Sequence, residues 1–247
     1  MNCRVKGDKD MTKIGIATVL MMIGTVAYAD EAAVRAAAKS LAPDVKVTSI
    51  RPTPVAGMNE VVLNGQQGPM LVYINDKGTY AFAGELIDIL KERNLTEERV
   101  DELTRVKFDS LPLDKAVKVV KGNGKRRLVV FSDPDCPYCR RLEKELAKVD
   151  DVTVYTFLFP IAHPAAIPKS KQIWCAADRG QAWTDYMLNG ALPANKGDCA
   201  NPLDAVMALG QKMRVNGTPT LIFTNGHRAP GFVPANRIEA LLQEAAR

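Results

Sequence analysis

Histidine is almost missing from this sequence: His163 and His227 are the two in 247 residues. Two are too few for most catalytic metal sites. Cys136 and Cys139 form a C-x-x-C pair, but no second such pair exists, and Cys175 and Cys199 are solitary. A zinc site would therefore lack ligands at suitable spacing, and no metal is expected. Charge of one sign is not in large excess either. Lys plus Arg number 33 and Asp plus Glu 28, a net charge of +5, which is too mild to argue for nucleic acid as a partner. Long apolar runs are also lacking. The apolar run Ile14 to Val26 has about 13 residues, against roughly 20 needed to span a bilayer.

That one apolar run has the setting of a secretory signal. Arg4, Lys6, Lys9 and Lys13 precede it, and the small-x-small tripeptide "AYA", Ala27 to Ala29, follows it. Residues 1–29 are predicted to be a signal peptide cut after Ala29, and its length speaks against an uncleaved anchor. Met11 opens a complete signal by itself and is an alternative start. The exported chain would begin at Asp30 with 218 residues and a net charge near +3, enough for one large domain or two small ones. Its hydrophobic content of 47% is ordinary for a globular protein. Removing the signal discards Cys3 and leaves four cysteines, an even count that suggests disulfides in an exported protein.

Composition divides the exported chain. Residues 30–92 open on an Ala-rich amphipathic helix, "DEAAVRAAAKSLA". The short runs "VKVTSIRPTPV", "NEVVLNG", "PMLVYIND" and "GTYAFAGEL" follow, parted by turn signals. They predict one helix and a small antiparallel sheet, about 60 residues that would be marginal alone and need a partner surface. Residues 93–111 are charged. Thr96 can cap a helix there, with Glu97 and Glu98 in its first turn. Val100, Leu103, Val106 and Phe108 form one thin apolar stripe, so a largely solvated linker helix is expected, with a core helix as the alternative. From residue 112 to 247 the order is a buried strand "RRLVVFSD", the Cys pair at a helix start, and a strand "VTVYTFLFP". A helical stretch from Ala166 to Gly190, a second helix "PLDAVMALGQKMRV", a strand "TPTLIFTNG", a further strand and a last helix complete it. This is a thioredoxin-like α/β order with a helical insertion between its halves.

The chemistry centres on "FSDPDCPYC". Pro137 suits the first helical position, which places Cys136 at the N-cap. Free backbone N–H groups and the positive end of the helix dipole then favour a thiolate at Cys136, and Arg140 and Arg141 add positive charge. Cys139 lies one turn further in and is less exposed. Cys136 is thus expected to attack and Cys139 to resolve the mixed disulfide; a structural bridge across two residues is the alternative. In thioredoxin-like proteins the loop facing the Cys pair carries a cis-proline before a strand. "VNGTPTLIF" has that form, which implies a cis bond before Pro219 and backbone groups at Thr218 that pair with substrate. Cys175 and Cys199 read as a structural disulfide closing about 25 residues, worth roughly 3 kcal/mol in the chain-entropy account; a second redox pair is the alternative. Trp174 and Trp183 are expected to pack around the insertion helices, and His163 and His227 to lie at the surface or in loops.

On "PTPVAGM", "FSDPDCPYC", "IWCA" with Cys199 downstream, and "VNGTPTLIF", the chain resembles the DsbC/DsbG family of periplasmic thiol:disulfide interchange proteins over nearly all its exported length. The resemblance implies a V-shaped homodimer. Each chain would carry an N-terminal α+β, cystatin-like dimerisation domain, a linker helix and a C-terminal thioredoxin-like domain. It implies an apolar cleft for misfolded exported proteins, no cofactor, and a DsbD-like membrane electron donor that keeps the Cys pair reduced. Cys136 takes the nucleophile's place, Cys139 the resolving thiol's, and Pro137, Tyr138, Thr218 and Pro219 the places against substrate. DsbC usually has Gly after the first Cys, so Pro137 follows DsbG, whereas the Cys175/Cys199 pair follows DsbC. The expectation is a DsbC-type isomerase. A DsbG-like reductase of sulfenylated cysteines and a holdase chaperone are the alternatives, and a DsbA-like oxidase is a weaker one. Strand Thr79 to Gly84 is the candidate for pairing across the two-fold axis.

Overall fold

The structure, a computed structural model, describes residues 27–65 and 68–247. The expected signal lies outside them, apart from Ala27 to Ala29, which form the first turn of a helix. That helix, α1 (Ala27–Leu41), precedes four antiparallel strands in the order β1-β2-β3-β4: β1 (Lys46–Pro52), β2 (Met58–Gly65), β3 (Gly68–Asn75) and β4 (Ala81–Phe82). Successive side chains of a strand point to opposite faces, and here both faces are covered. Val61, Leu63, Val72 and Ile74 meet Val34 and Ala38 of α1. Val62, Leu71 and Tyr73 on the other face meet Leu86 and Leu103. The run Thr79 to Gly84 yields two strand residues, because the Asn75 carboxamide accepts from the amides of Thr79 and Tyr80 and turns the chain before β4.

A small hairpin, β5 (Ile87–Asp88) with β6 (Arg93–Asn94), leads into α2 (Leu95–Thr104). Two expectations need correction here. Asn94, not Thr96, caps α2, accepting from the Glu97 amide at 3.1 Å. The Thr96 hydroxyl instead bonds Tyr73 and the Leu86 amide, holding α2 to the sheet. The helix also stops at Thr104 rather than running to residue 111. Arg105 turns to extended backbone (ψ 135°) and the Val106 amide donates to the Gly226 carbonyl at 3.0 Å. The expected stripe is therefore split. Leu103 covers the first sheet, while Phe108, in a short 3-10 turn, is buried in the second core with Arg127 over its ring.

The second unit holds β7 (Val117–Val120), β8 (Arg126–Ser132), α3 (Pro137–Leu146), β9 (Val152–Leu158), α4 (Ile167–Trp174), α5 (Arg179–Asn189), α6 (Leu203–Lys212), β10 (Thr220–Phe223), β11 (Arg228–Pro230) and α7 (Ala235–Ala245). Its sheet runs β11-β10-β8-β9-β7, with β8 and β9 parallel and the other pairs antiparallel. Parallel neighbours need a crossover, which α3 supplies. Helices cover both faces. Leu128 and Val130 of β8 pack with α3 and α7 residues, and Val129 and Phe131 with Val206 of α6. A strand covered twice is apolar without alternation, which is why "LVVF" carries no period-2 signal.

Edge strand β7, with Val120 half exposed, was not expected from its short "VKVV" run. The insertion is two helices instead of one helical stretch. Cys175 ends α4, and the Asp178 carboxylate accepts from the Gln181 amide at 2.9 Å to start α5. Trp174 and Trp183 are buried there, as the sequence suggested.

Where α6 crosses the sheet, a Cβ on Gly210 would stand 2.3 Å from the buried Phe159 ring. Gly210→Ala is therefore expected to lower stability by about 1–3 kcal/mol, read from the urea midpoint. An unchanged midpoint would show that the helix can shift away without cost.

Candidate active site

Strand β8 delivers the chain to the site. Ser132 ends it, and the fully buried Asp133 makes the turn. The Asp133 carbonyl accepts from the Cys136 amide at 3.1 Å, and its Oδ1 accepts from the Asp135 amide at 2.9 Å. This local turn leaves Cys136 as N-cap of α3 with Pro137 at the first helical position. Cys136 and Cys139 are free thiols. Cys136 is 5% exposed and its Sγ donates to the Thr218 carbonyl at 3.4 Å. Cys139 is 0% exposed and its Sγ accepts from the Asp133 amide at 3.5 Å. Thr218–Pro219 is a cis peptide. Tyr138 projects outward between the thiols and is half exposed. The structure thus brings Cys136, Cys139 and Thr218 together, with Pro137, Tyr138 and Pro219 adjoining them in the chain. Burial, with a lesser contribution from the charge of Cys136, pushes the Cys139 thiol up to about 12.

Cys175 and Cys199 are joined as a disulfide, their Cα atoms 5.7 Å apart. The bridge ties the end of α4 to the loop before α6, and the insertion in turn holds Asp135, the residue preceding Cys136. Lys169 of α4 donates to both Asp135 carboxylate oxygens at 2.7 and 2.8 Å, and the Tyr186 hydroxyl of α5 donates to one of them at 3.0 Å. Burial works against the ionised Asp135, but Lys169 and Tyr186 outweigh it and hold its carboxyl below the usual range. Arg140 and Arg141 are spent elsewhere. The Arg140 guanidinium lies over the Tyr186 ring and donates to the Tyr186 carbonyl at 2.9 Å, while Arg141 lies over Tyr138 and Phe232.

Two acidic positions of the site were not anticipated. His163 is in a loop, as expected, yet its Nδ1 is 2.8 Å from Oδ2 of Asp133. Glu143, one turn beyond Cys139 on α3, accepts from Nε1 of Trp183 at 2.8 Å. The i, i+4 spacing of Cys139 and Glu143 was visible in the sequence; the approach of Trp183 from the insertion was not. Burial raises the Glu143 carboxyl to about 7, against the opposing hydrogen bond from Trp183 and the Lys121 charge.

An N-cap thiol, a second thiol buried one turn on, and a cis-proline loop facing them across a thioredoxin-type sheet define a thioredoxin-fold thiol–disulfide oxidoreductase. Comparison with known proteins narrows this. The profile of the thioredoxin-like domain matches residues 113–246, and that of the disulfide bond isomerase protein N-terminal domain matches residues 25–97. The chain is 44% identical over 196 residues to the probable thiol:disulfide interchange protein DsbC of Bordetella pertussis, covering 79% of this chain and 68% of that one. It is 29% identical over 235 residues to the thiol:disulfide interchange protein DsbC of Escherichia coli K12, covering 92% and 93%. A crystal structure of a disulfide interchange protein from Neisseria gonorrhoeae superposes with a TM-score of 0.54 at 47% identity, over 56% of this chain and 99% of that one. The chain belongs to the DsbC family of thiol:disulfide interchange proteins.

Two outcomes are expected from these environments. In the reduced native protein at pH 8, iodoacetamide should spare Cys139 and label it only after denaturation; equal labelling of both thiols in the native state would contradict the burial. Glu143 has a folded value near 7, raised from its ordinary 4.5. Between those pH values the folded state keeps a proton that the unfolded chain has lost, so stability falls as pH rises through the window. Glu143→Gln should match the parent near pH 4.5 and exceed it at pH 8 by on the order of 1–3 kcal/mol, read from urea midpoints. A difference independent of pH would rule this out.

Proposed function

We propose that this protein is a homodimeric, periplasmic protein disulfide isomerase in which Cys136 is the nucleophile and Cys139 the resolving thiol. The observation that carries the reading is the asymmetry of the pair. Cys136 sits at a helix N-terminus against the Thr218 carbonyl, while Cys139 is closed in beneath it. The Cys136 thiolate attacks one sulfur of a wrong substrate disulfide. The Cys136–substrate bond forms, the substrate S–S bond breaks, and the other substrate sulfur leaves as a thiolate. A different substrate thiolate then attacks the held substrate sulfur, forms the new disulfide and returns Cys136 as thiolate. No net oxidation occurs on this route. Where Cys139 attacks Cys136 instead, substrate leaves reduced, the Cys136–Cys139 disulfide forms, and a DsbD-like membrane donor supplies two electrons to reset the pair.

Thr218 and Pro219 offer extended backbone to a substrate chain, with Pro137 and Tyr138 on its other flank. An export signal at residues 1–29 and a disulfide in the fold support the periplasm as the site of action. Dimerisation is supported by the first unit's surface. Tyr80, Ile89 and Leu90 are 78%, 82% and 96% exposed, and Phe82 on edge strand β4, stacked on Tyr73, is half exposed. An apolar edge strand of this kind invites pairing with a second copy.

Cys136→Ala should abolish refolding of a protein with scrambled disulfides. Cys139→Ala should accumulate Cys136–substrate adducts on non-reducing gels, and refolding that survives loss of Cys136 would end the reading. Phe82→Asp should turn a dimer into a monomer by sedimentation; a parent chain that sediments as a monomer would remove the dimer from the proposal.

A further inference from the structure

A cavity of about 730 Å³ opens beside the cis-proline loop, walled by Thr218, Pro219 and Thr220, by the segment from Arg228 to Pro234, and by α2. Arg228 is the unusual member of that wall. It projects from β11, opposite Ile222 of β10. Among the described residues its Nη1 donates to the Met213 carbonyl at 2.9 Å, its buried Nε has no partner, and no carboxylate lies within ion-pair distance. Burial makes the charged form costly, pulling the Arg228 pKa down. A desolvated guanidinium is normally offset by an anion, and one carbonyl is a poor substitute.

The carboxylates nearby do not fill that role. Asp101 is already engaged by His227 Nδ1 at 2.6 Å and by Arg105 at 2.8 Å. Glu97 lines the cavity on α2 without an ion-pair partner among the described residues, and Arg214 and Arg237 add two further cations. The cavity is therefore positively biased, and it adjoins the point where a substrate must lie. Cys136 Sγ is 3.4 Å from the Thr218 carbonyl, so a chain joined to Cys136 runs past Thr218 and its next residues reach the cavity. Thr218 itself walls the cavity, and Arg228 pairs with Ile222, four positions beyond it, so at about 3.3 Å per extended residue Arg228 lies roughly four residues from the bonded cysteine.

We propose that this cavity is a subsite for an acidic side chain of the substrate, an Asp or Glu within a few residues of the cysteine held at Cys136, with Arg228 as its counter-ion. The inference rests on the proposed attack by Cys136 and adds a sequence preference to it. Substrates carrying acidic residues near a mispaired cysteine would be held longer than neutral ones. Arg228 acts as a specificity residue and takes no part in the sulfur exchange.

The test is a competition. End-blocked peptides with one cysteine, carrying Glu or Gln at each position within five residues of it, are supplied as symmetric disulfides. They compete for Cys136 in the Cys139→Ser variant, and adducts are counted by mass spectrometry. For at least one position the Glu adduct should exceed the Gln adduct about tenfold, the size of a charge-assisted contact. Arg228→Gln should bring the ratio to near parity, which separates the protein's preference from the peptides' own reactivity. Should Arg228→Gln fold poorly, 0.5 M NaCl on the parent must narrow the ratio instead. Equal Glu and Gln adducts at every position would overturn the subsite while leaving the isomerase intact. No adduct with any peptide would overturn the attack by Cys136 and the subsite together.

Discussion

One buried residue, Asp133, fixes the relation between sheet, helix and thiols. Its carbonyl holds the Cys136 amide, its own amide holds Cys139 Sγ, and one carboxylate oxygen closes the turn on Asp135. The other oxygen meets His163 across the site. A fully buried carboxylate is costly unless it is hydrogen-bonded, and here both oxygens have partners. The strand exit, the helix start and the depth of both sulfurs are thus set by one side chain and its own peptide groups. The β8–α3–β9 crossover supplies the rigid frame around it, because a strand with helices on both faces cannot move without disturbing two cores.

Around this centre, the insertion works as a brace. Lys169 and Tyr186 grip Asp135, Arg140 of α3 stacks on Tyr186, and Trp183 reaches Glu143. The Cys175–Cys199 bridge then fixes the insertion itself. The middle of α2 is anchored on two sides by similar means. Arg99 is buried against Glu60 of β2 at 2.9 Å, and Asp101 meets His227 at the β10–β11 turn. A segment with a thin apolar stripe is held by polar side-chain contacts as well as by the burial of Leu103 and Phe108.

The parts of this arrangement that could be read from sequence are those with local causes. The thioredoxin-like order, the α+β first unit and the placement of Cys136 before Pro137 follow from apolar runs, turn residues and the demands of a helix start. The parts that could not be read come from distant partners. Thr96 has the chemistry of a cap, but Tyr73 and Leu86 compete for its hydroxyl, and Asn94 takes the cap. The linker stripe looked continuous until Gly226 drew off the Val106 amide. Arg140 and Arg141 stand close to the thiols in sequence, yet aromatic faces from the insertion and the C-terminal region claim both. Asp133–His163 and Glu143–Trp183 span loops of dozens of residues and leave no spacing signal.

The depth of Cys139 has a kinetic meaning. Burial raises the Cys139 thiol to about 12 in the reduced pair, so its thiolate, the form that attacks, is scarce at neutral pH. In the proposed cycle, this slows the exit route through Cys139. A substrate joined to Cys136 then has time to try its own cysteines before it is expelled in reduced form. The buried sulfur acts as a slow clock, and the length of its tick decides between rearranging a protein's disulfides and merely breaking them.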